Sequence, residues 1–78
     1  MIKVTINGQL KEIPNGLNIQ SLISWLDLPE DCVAVEQNQK VVQRVHWKEA
    51  QVKALDHLEI VRFVGGGRST ALTFFDRF

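Results

Sequence analysis

Apolar and polar residues alternate at the start of the chain. Ile2, Val4 and Ile6 fall on one side, Lys3 and Thr5 on the other. A period of two marks a half-buried β-strand. Asn7-Gly8 follows at once, a dipeptide that accepts the positive φ angles of a type I′ turn, so Gln9–Ile13 is predicted to return as the second strand of a hairpin. Pro14-Asn15-Gly16 ends that strand, because proline has no N–H for the ladder and Asn-Gly favours a turn. The period then changes. Ile19, Leu22, Ile23 and Leu26 recur at i, i+3, i+4 and i+7, one apolar stripe of a helix. Asn18 is placed to cap the helix N-terminus, and Pro29 predicts an end near Asp27 or Leu28.

Residues 32–36 form a short apolar run that reads as a strand containing Cys32. Gln37-Asn38-Gln39 reads as a turn, and residues 40–42 as a short returning strand. The pattern over residues 44–53, with His46, Trp47, Ala50 and Val52, fits either one helical turn or an irregular loop. Asp56-His57 reads as a turn, and residues 58–64 as a nearly continuous apolar strand of the kind that lies inside a sheet. The order predicts an α+β domain. Its expected architecture is a β-grasp (ubiquitin-like) fold: a mixed sheet of four to five strands, one helix on one face, and the last strand central and parallel to the first. Ile2, Val4, Ile6, Leu22, Ile23, Leu26, Val33, Val35, Leu58 and Ile60 form the expected core. With Leu58 and Ile60 turned to the helix, Val61 and Phe63 are expected on the outer face as a partner-docking surface.

Composition narrows the functional classes. The chain has 78 residues, 45% of them hydrophobic, which suits one small globular domain. Nine basic residues balance nine acidic ones, so the charge gives no footprint for nucleic acid or an anionic membrane. Cys32 is the single cysteine, too few for an internal disulfide, a zinc cage or an iron–sulfur cluster. No apolar run approaches the roughly 18 residues of a membrane-spanning helix. The opening strand pattern is not that of a secretory signal, and a cytoplasmic location is expected.

Conventional catalytic constellations are weak. His46 and His57 have no partners at metal-ligand spacing and read as surface or turn residues. Cys32 lies in an apolar run with no cationic neighbour in sequence to lower its pKa, so a structural role is expected. Glu30 and Asp31 read as a solvated loop. Gly65-Gly66-Gly67 carries more information. Three consecutive glycines do not sustain a strand or helix. A phosphate loop would need a helix after them, and none is patterned. As a flexible arm free of side chains they could thread into a narrow active site and offer an unhindered terminal carboxylate. A linker to the eleven-residue tail is the plainer alternative.

Three stretches carry a resemblance. They are the Ile2–Ile6 strand with Asn7-Gly8, the capped helix after Asn15-Gly16, and the run from Asp56 through Leu58-Glu59-Ile60-Val61-Arg62-Phe63-Val64 to Gly65-Gly66-Gly67. Together they make the sequence similar to the ThiS family of ubiquitin-like sulfur carriers over residues 1–67. The resemblance implies a β-grasp protein that is a co-substrate and not an enzyme. Its terminal glycine carboxylate is adenylated by the E1-like adenylyltransferase ThiF with ATP and magnesium. A cysteine desulfurase supplies the sulfur that makes it a thiocarboxylate, and the thiazole synthase ThiG receives that sulfur. On this chain the reactive carboxylate would be that of Gly67, with Gly65 and Gly66 as the threading arm. The chain would bind no cofactor of its own and would be monomeric when free.

The expected organisation is a domain over 1–64, a glycine arm over 65–67 and a tail over 68–78. The tail departs from the family pattern. While Arg68 is attached, Gly67 has a peptide bond in place of a carboxylate, so the tail must be removed before sulfur is loaded. A MoaD-like small subunit of molybdopterin synthase, a ubiquitin-like modifier and a non-catalytic β-grasp binding module are the competing readings.

Overall fold

A computed structural model describes residues 1–63 and, by backbone, Thr73–Phe74. The strands are β1 (Ile2–Ile6), β2 (Gln9–Ile13), β3 (Val33–Gln37), β4 (Lys40–Val42), β5 (His57–Phe63) and β6 (Thr73–Phe74). One α-helix, α1 (Ile19–Trp25), and two short 3-10 turns, Glu30–Cys32 and Arg44–His46, complete the described residues. The hairpin strands lie where the alternation predicts. The sheet order is β2-β1-β5-β3-β4, with β6 paired to β5 off this path. β1 and β5 run parallel, and the other pairs are antiparallel.

The β1–β2 turn has φ +52° at Asn7 and +82° at Gly8, the left-handed pair that a type I′ hairpin needs. At the helix start the Asn18 side chain accepts a 2.8 Å hydrogen bond from the Ser21 N–H, satisfying one orphan donor of the first turn. The helix ends earlier than Pro29 alone requires. Leu26 is its C-cap, and Asp27 takes φ +64°, which turns the chain out of the helix.

The core lies between α1 and one face of the sheet. Val4, Ile6, Leu22, Ile23, Val33, Val35, Leu58 and Ile60 are buried, as the pattern predicts, while Ile2 and Leu26 are half-buried at its rim. Ile13, Ile19, Trp47 and Val52 join them. Trp47 resolves the ambiguity of residues 44–53. It is 2% exposed, and its indole N–H donates to the Val42 carbonyl at 2.9 Å. A 3-10 turn delivers this large side chain to the core, and the indole bond satisfies its one polar atom.

Two expectations need correction. Cys32 does not belong to the strand: β3 begins at Val33, and Cys32 closes the preceding 3-10 turn, half-buried, its N–H bonded to the Pro29 carbonyl. Nor is β5 apolar on both faces. Leu58 and Ile60 face the helix, but Glu59 and His57 are exposed on the other side. The sheet is covered on one face, so over His57–Ile60 its central strand alternates, polar out and apolar in, even though it is flanked by strands on both sides.

Candidate functional site

The end of β5 delivers whatever follows it, so the geometry of that strand defines the site. Hydrogen bonds to β3 hold one edge through the registers Val33↔Arg62, Ala34↔Val61, Val35↔Ile60, Glu36↔Glu59 and Gln37↔Leu58. The other edge pairs with β1 only at Thr5↔His57 and Ile6↔Leu58. There the chain turns away, and Asn7 takes over. Its backbone N–H donates to the Leu58 carbonyl at 2.9 Å. Its side-chain amide donates to the Ile60 carbonyl at 3.1 Å and accepts from the Ile60 N–H at 2.8 Å. One side chain thus extends the β1–β5 ladder past the end of β1. Asn-Gly in the sequence signals the turn but not this second role.

Val61 is half-buried on the face away from the helix, opposite half-buried Ala34. Leu10 on β2 and Val41 on β4 are exposed, and their register partners Thr5 and Glu36 have the outward parity of this same face. Glu36 and Glu59 stand directly opposite one another beside Val61. The outer surface along β5 is therefore a mixed apolar and acidic one. The side chain of Phe63, and Gly65, Gly66 and Gly67 themselves, lie outside the described residues.

A shallow cleft of about 760 Å³ opens at the other end of β5, lined in part by Gln37, Asn38, His46, Lys53 and Asp56. Asp56 is its buried polar centre, 8% exposed. Its carboxylate accepts from Gln37 Nε2 at 2.9 Å, Asn38 Nδ2 at 3.1 Å and the Lys53 N–H at 2.8 Å. Burial acts to raise the Asp56 carboxyl. The Lys53 N–H bond, the Asn38 and Gln37 bonds and the Lys53 charge outweigh it and hold the group below its ordinary value. Asn38 also accepts from the His57 N–H at 2.9 Å, so the cluster ties the β3–β4 turn to the start of β5. These bonds engage both carboxylate oxygens, so the cluster reads as a structural clasp. A seven-residue strand spans about 20 Å, which sets the cleft well away from the Phe63 end of β5.

The remaining titratable candidates are peripheral. His46 is exposed and lies 3.5 Å from Glu49, and Asp31 pairs with Arg44 at 3.2 Å on the surface. Glu30 accepts from the Gln20 side chain. Among the described residues no group of His, Cys, Asp or Glu is arranged to hold a metal ion. No helix among them is long and apolar enough to cross a membrane.

Known proteins bear on this arrangement. The sequence matches the model of the ThiS family over residues 4–67. A crystal structure of the thiamine biosynthesis protein ThiS from Geobacter metallireducens superposes with a TM-score of 0.74 at 32% identity, covering 85% of this chain and all of that one. The sulfur carrier protein ThiS of Bacillus subtilis is 37% identical over 49 residues, 63% of this chain and 74% of its own length. A thiazole synthase of Paramagnetospirillum magneticum is 33% identical over 73 residues. That match covers 94% of this chain but 22% of the synthase, so the chain spans about a fifth of that relative's length. The β-grasp architecture, the matched residues and the relatives agree: the chain belongs to the ThiS family of ubiquitin-like sulfur carriers of thiamine biosynthesis.

Proposed function

We propose that this chain carries sulfur as a thiocarboxylate on Gly67. The observation that carries the reading is the sequence position of the glycine run: Gly65 comes two residues after Phe63, which ends the central strand of the sheet at the end remote from the Asp56 clasp. In this reading water first adds across the Gly67–Arg68 peptide bond, and the tail leaves with a new amino terminus. The Gly67 carboxylate attacks the α-phosphorus of ATP on an E1-like adenylyltransferase, and pyrophosphate departs. Magnesium and ATP belong to that enzyme. A persulfide sulfur from a cysteine desulfurase displaces AMP, and a thiol reductant releases the thiocarboxylate. Sulfur then passes to the thiazole on a thiazole synthase.

The thiazole synthase relatives support the last partner. In the Paramagnetospirillum and Magnetococcus marinus synthases, a segment like this chain makes up 22% and 21% of the polypeptide. A match covering 94% of 78 residues also leaves too few unmatched positions to stop at Gly67, so part of the tail resembles that synthase polypeptide too. The outer face around Val61 and Phe63 is the proposed docking surface, and a cytoplasmic location suits this chemistry. The reading is tested by incubating a chain ending at Gly67 with an E1-like adenylyltransferase, ATP and magnesium. Pyrophosphate release is expected from that chain and not from uncut 78-residue protein. Equal release from the uncut protein would reject Gly67 as the acceptor.

A further inference from the structure

The edge of β5 that β1 leaves is filled in two steps. Asn7 takes the N–H and C=O of Ile60. In an antiparallel ladder the backbone groups of alternate residues turn to the same edge, so the next pair on this edge belongs to Arg62. β3 already lies on the opposite edge, at Val33↔Arg62. The chain's own tail comes to the open position: β6 pairs antiparallel with β5 through Arg62↔Phe74 and Phe63↔Thr73. The tail sequence Ala71-Leu72-Thr73-Phe74-Phe75 is rich in the β-branched and aromatic residues that favour strands.

We propose that the β5 edge at Arg62 and Phe63 is a strand-docking site whose built-in occupant is residues 73–74 of the tail. The occupant stays only while it is covalently attached. Gly65, Gly66 and Gly67 lie in sequence between the two paired strands. A tethered segment has an effective concentration on the order of millimolar, and that local concentration sustains a pairing of two residues. A separate strand this short has too little contact to remain bound. Resting on the carrier reading, hydrolysis of the Gly67–Arg68 bond would do two things in one step. It would create the carboxylate, and it would release the strand that covers the edge beside it. The exposed N–H and C=O of Arg62 would then accept an extended strand of the activating or acceptor enzyme.

Amide hydrogen exchange at Arg62 tests this in the 78-residue chain, in its Phe74→Pro variant and in a chain ending at Gly67. Proline removes the N–H at position 74, and its fixed φ disfavours the extended pairing. Exchange at Arg62 should be at least about tenfold slower in the 78-residue chain than in either of the others, while exchange at Ile60, held by Asn7, stays equal in all three. Equal rates at Arg62 would overturn the docking site. Adding a peptide of residues 68–78 at equimolar concentration to the Gly67-ending chain should leave Arg62 fast. Restored protection there would overturn release on cleavage. None of these readouts involves adenylation, so failure of the carrier chemistry would leave this result standing, and the reverse also holds.

Discussion

Asn7 and Ile60 are joined by a reciprocal pair of hydrogen bonds across a sequence separation of 53 residues, the Asn7 amide donating at 3.1 Å and accepting at 2.8 Å. The pair fixes the tip of the first hairpin to the middle of the central strand. Asn7→Ala removes both bonds and places alanine at φ +52°. The expected loss is about 1–3 kcal/mol, the usual penalty for backbone groups that lose their partners. Asn7→Gly separates the two effects, since glycine accepts that φ and still lacks the amide. Urea denaturation should show Gly intermediate between wild type and Ala. A wild-type midpoint for Asn7→Gly would mean that the side-chain bonds contribute nothing.

Leu22 is fully buried on the face of α1 that meets the sheet. Leu22→Ala should lower stability by about 2–5 kcal/mol, the range for a core leucine that leaves a cavity. In a domain of this size that change threatens the folded state itself. A loss below about 1 kcal/mol, in the range of surface substitutions, would show that the helix packs by another face.

The Asp56 clasp makes stability depend on acid. Its carboxyl is held below the ordinary aspartate value of 3.8. The folded chain therefore takes up this proton less readily than the unfolded chain, and the stabilisation is complete above the unfolded value. It is lost as pH falls through the lower folded value. Asp56→Asn should be destabilised at neutral pH, because an amide cannot accept at both oxygens from Gln37, Asn38 and Lys53. The gap between the variant and wild type in urea midpoint should narrow steadily below about pH 4. A gap that widens on acidification would contradict the assignment.

On the outer face, Glu36 and Glu59 oppose one another directly across β3 and β5. Like charges in that position are destabilising, by some tenths of a kcal/mol to about 1 kcal/mol. Their position next to Val61 suits a surface that meets a cationic partner. Glu59→Gln should raise the melting temperature slightly while weakening binding to the adenylyltransferase, and the wild-type affinity should fall with added salt. Val61→Asp should weaken the same binding with little change in melting temperature. If both variants bind as wild type does, the docking surface lies elsewhere.

The hairpin, the capped helix and the central strand were legible because each rests on local chemistry: a period of two with Asn-Gly, an apolar stripe after Asn18, and an apolar run before the glycines. Trp47 was not assigned to the core, because a 3-10 turn offers too few residues for a period to show. Asp56 was read only as part of a turn. Its partners Gln37 and Asn38 are 19 and 18 residues away in sequence, and no local pattern brings them together. Cys32 was drawn into the strand by its apolar neighbours, whereas the backbone after Pro29 uses it to close a turn. The candidate site divides in the same way. The glycines stand out in the sequence, while the edge at Arg62, defined by where β1 ends and how Asn7 continues it, needs the fold.

The central claim is that sulfur is held on Gly67. The most direct measurement is the intact mass, with fragmentation, of a chain ending at Gly67 after incubation with an E1-like adenylyltransferase, ATP, magnesium, a cysteine desulfurase with cysteine, and a thiol reductant. The account predicts exchange of one oxygen for one sulfur, localised to the Gly67 terminus, and loss of that sulfur when a thiazole synthase and its remaining substrates are added. A chain whose Gly67 keeps both oxygens while sulfur accumulates on Cys32 would contradict it.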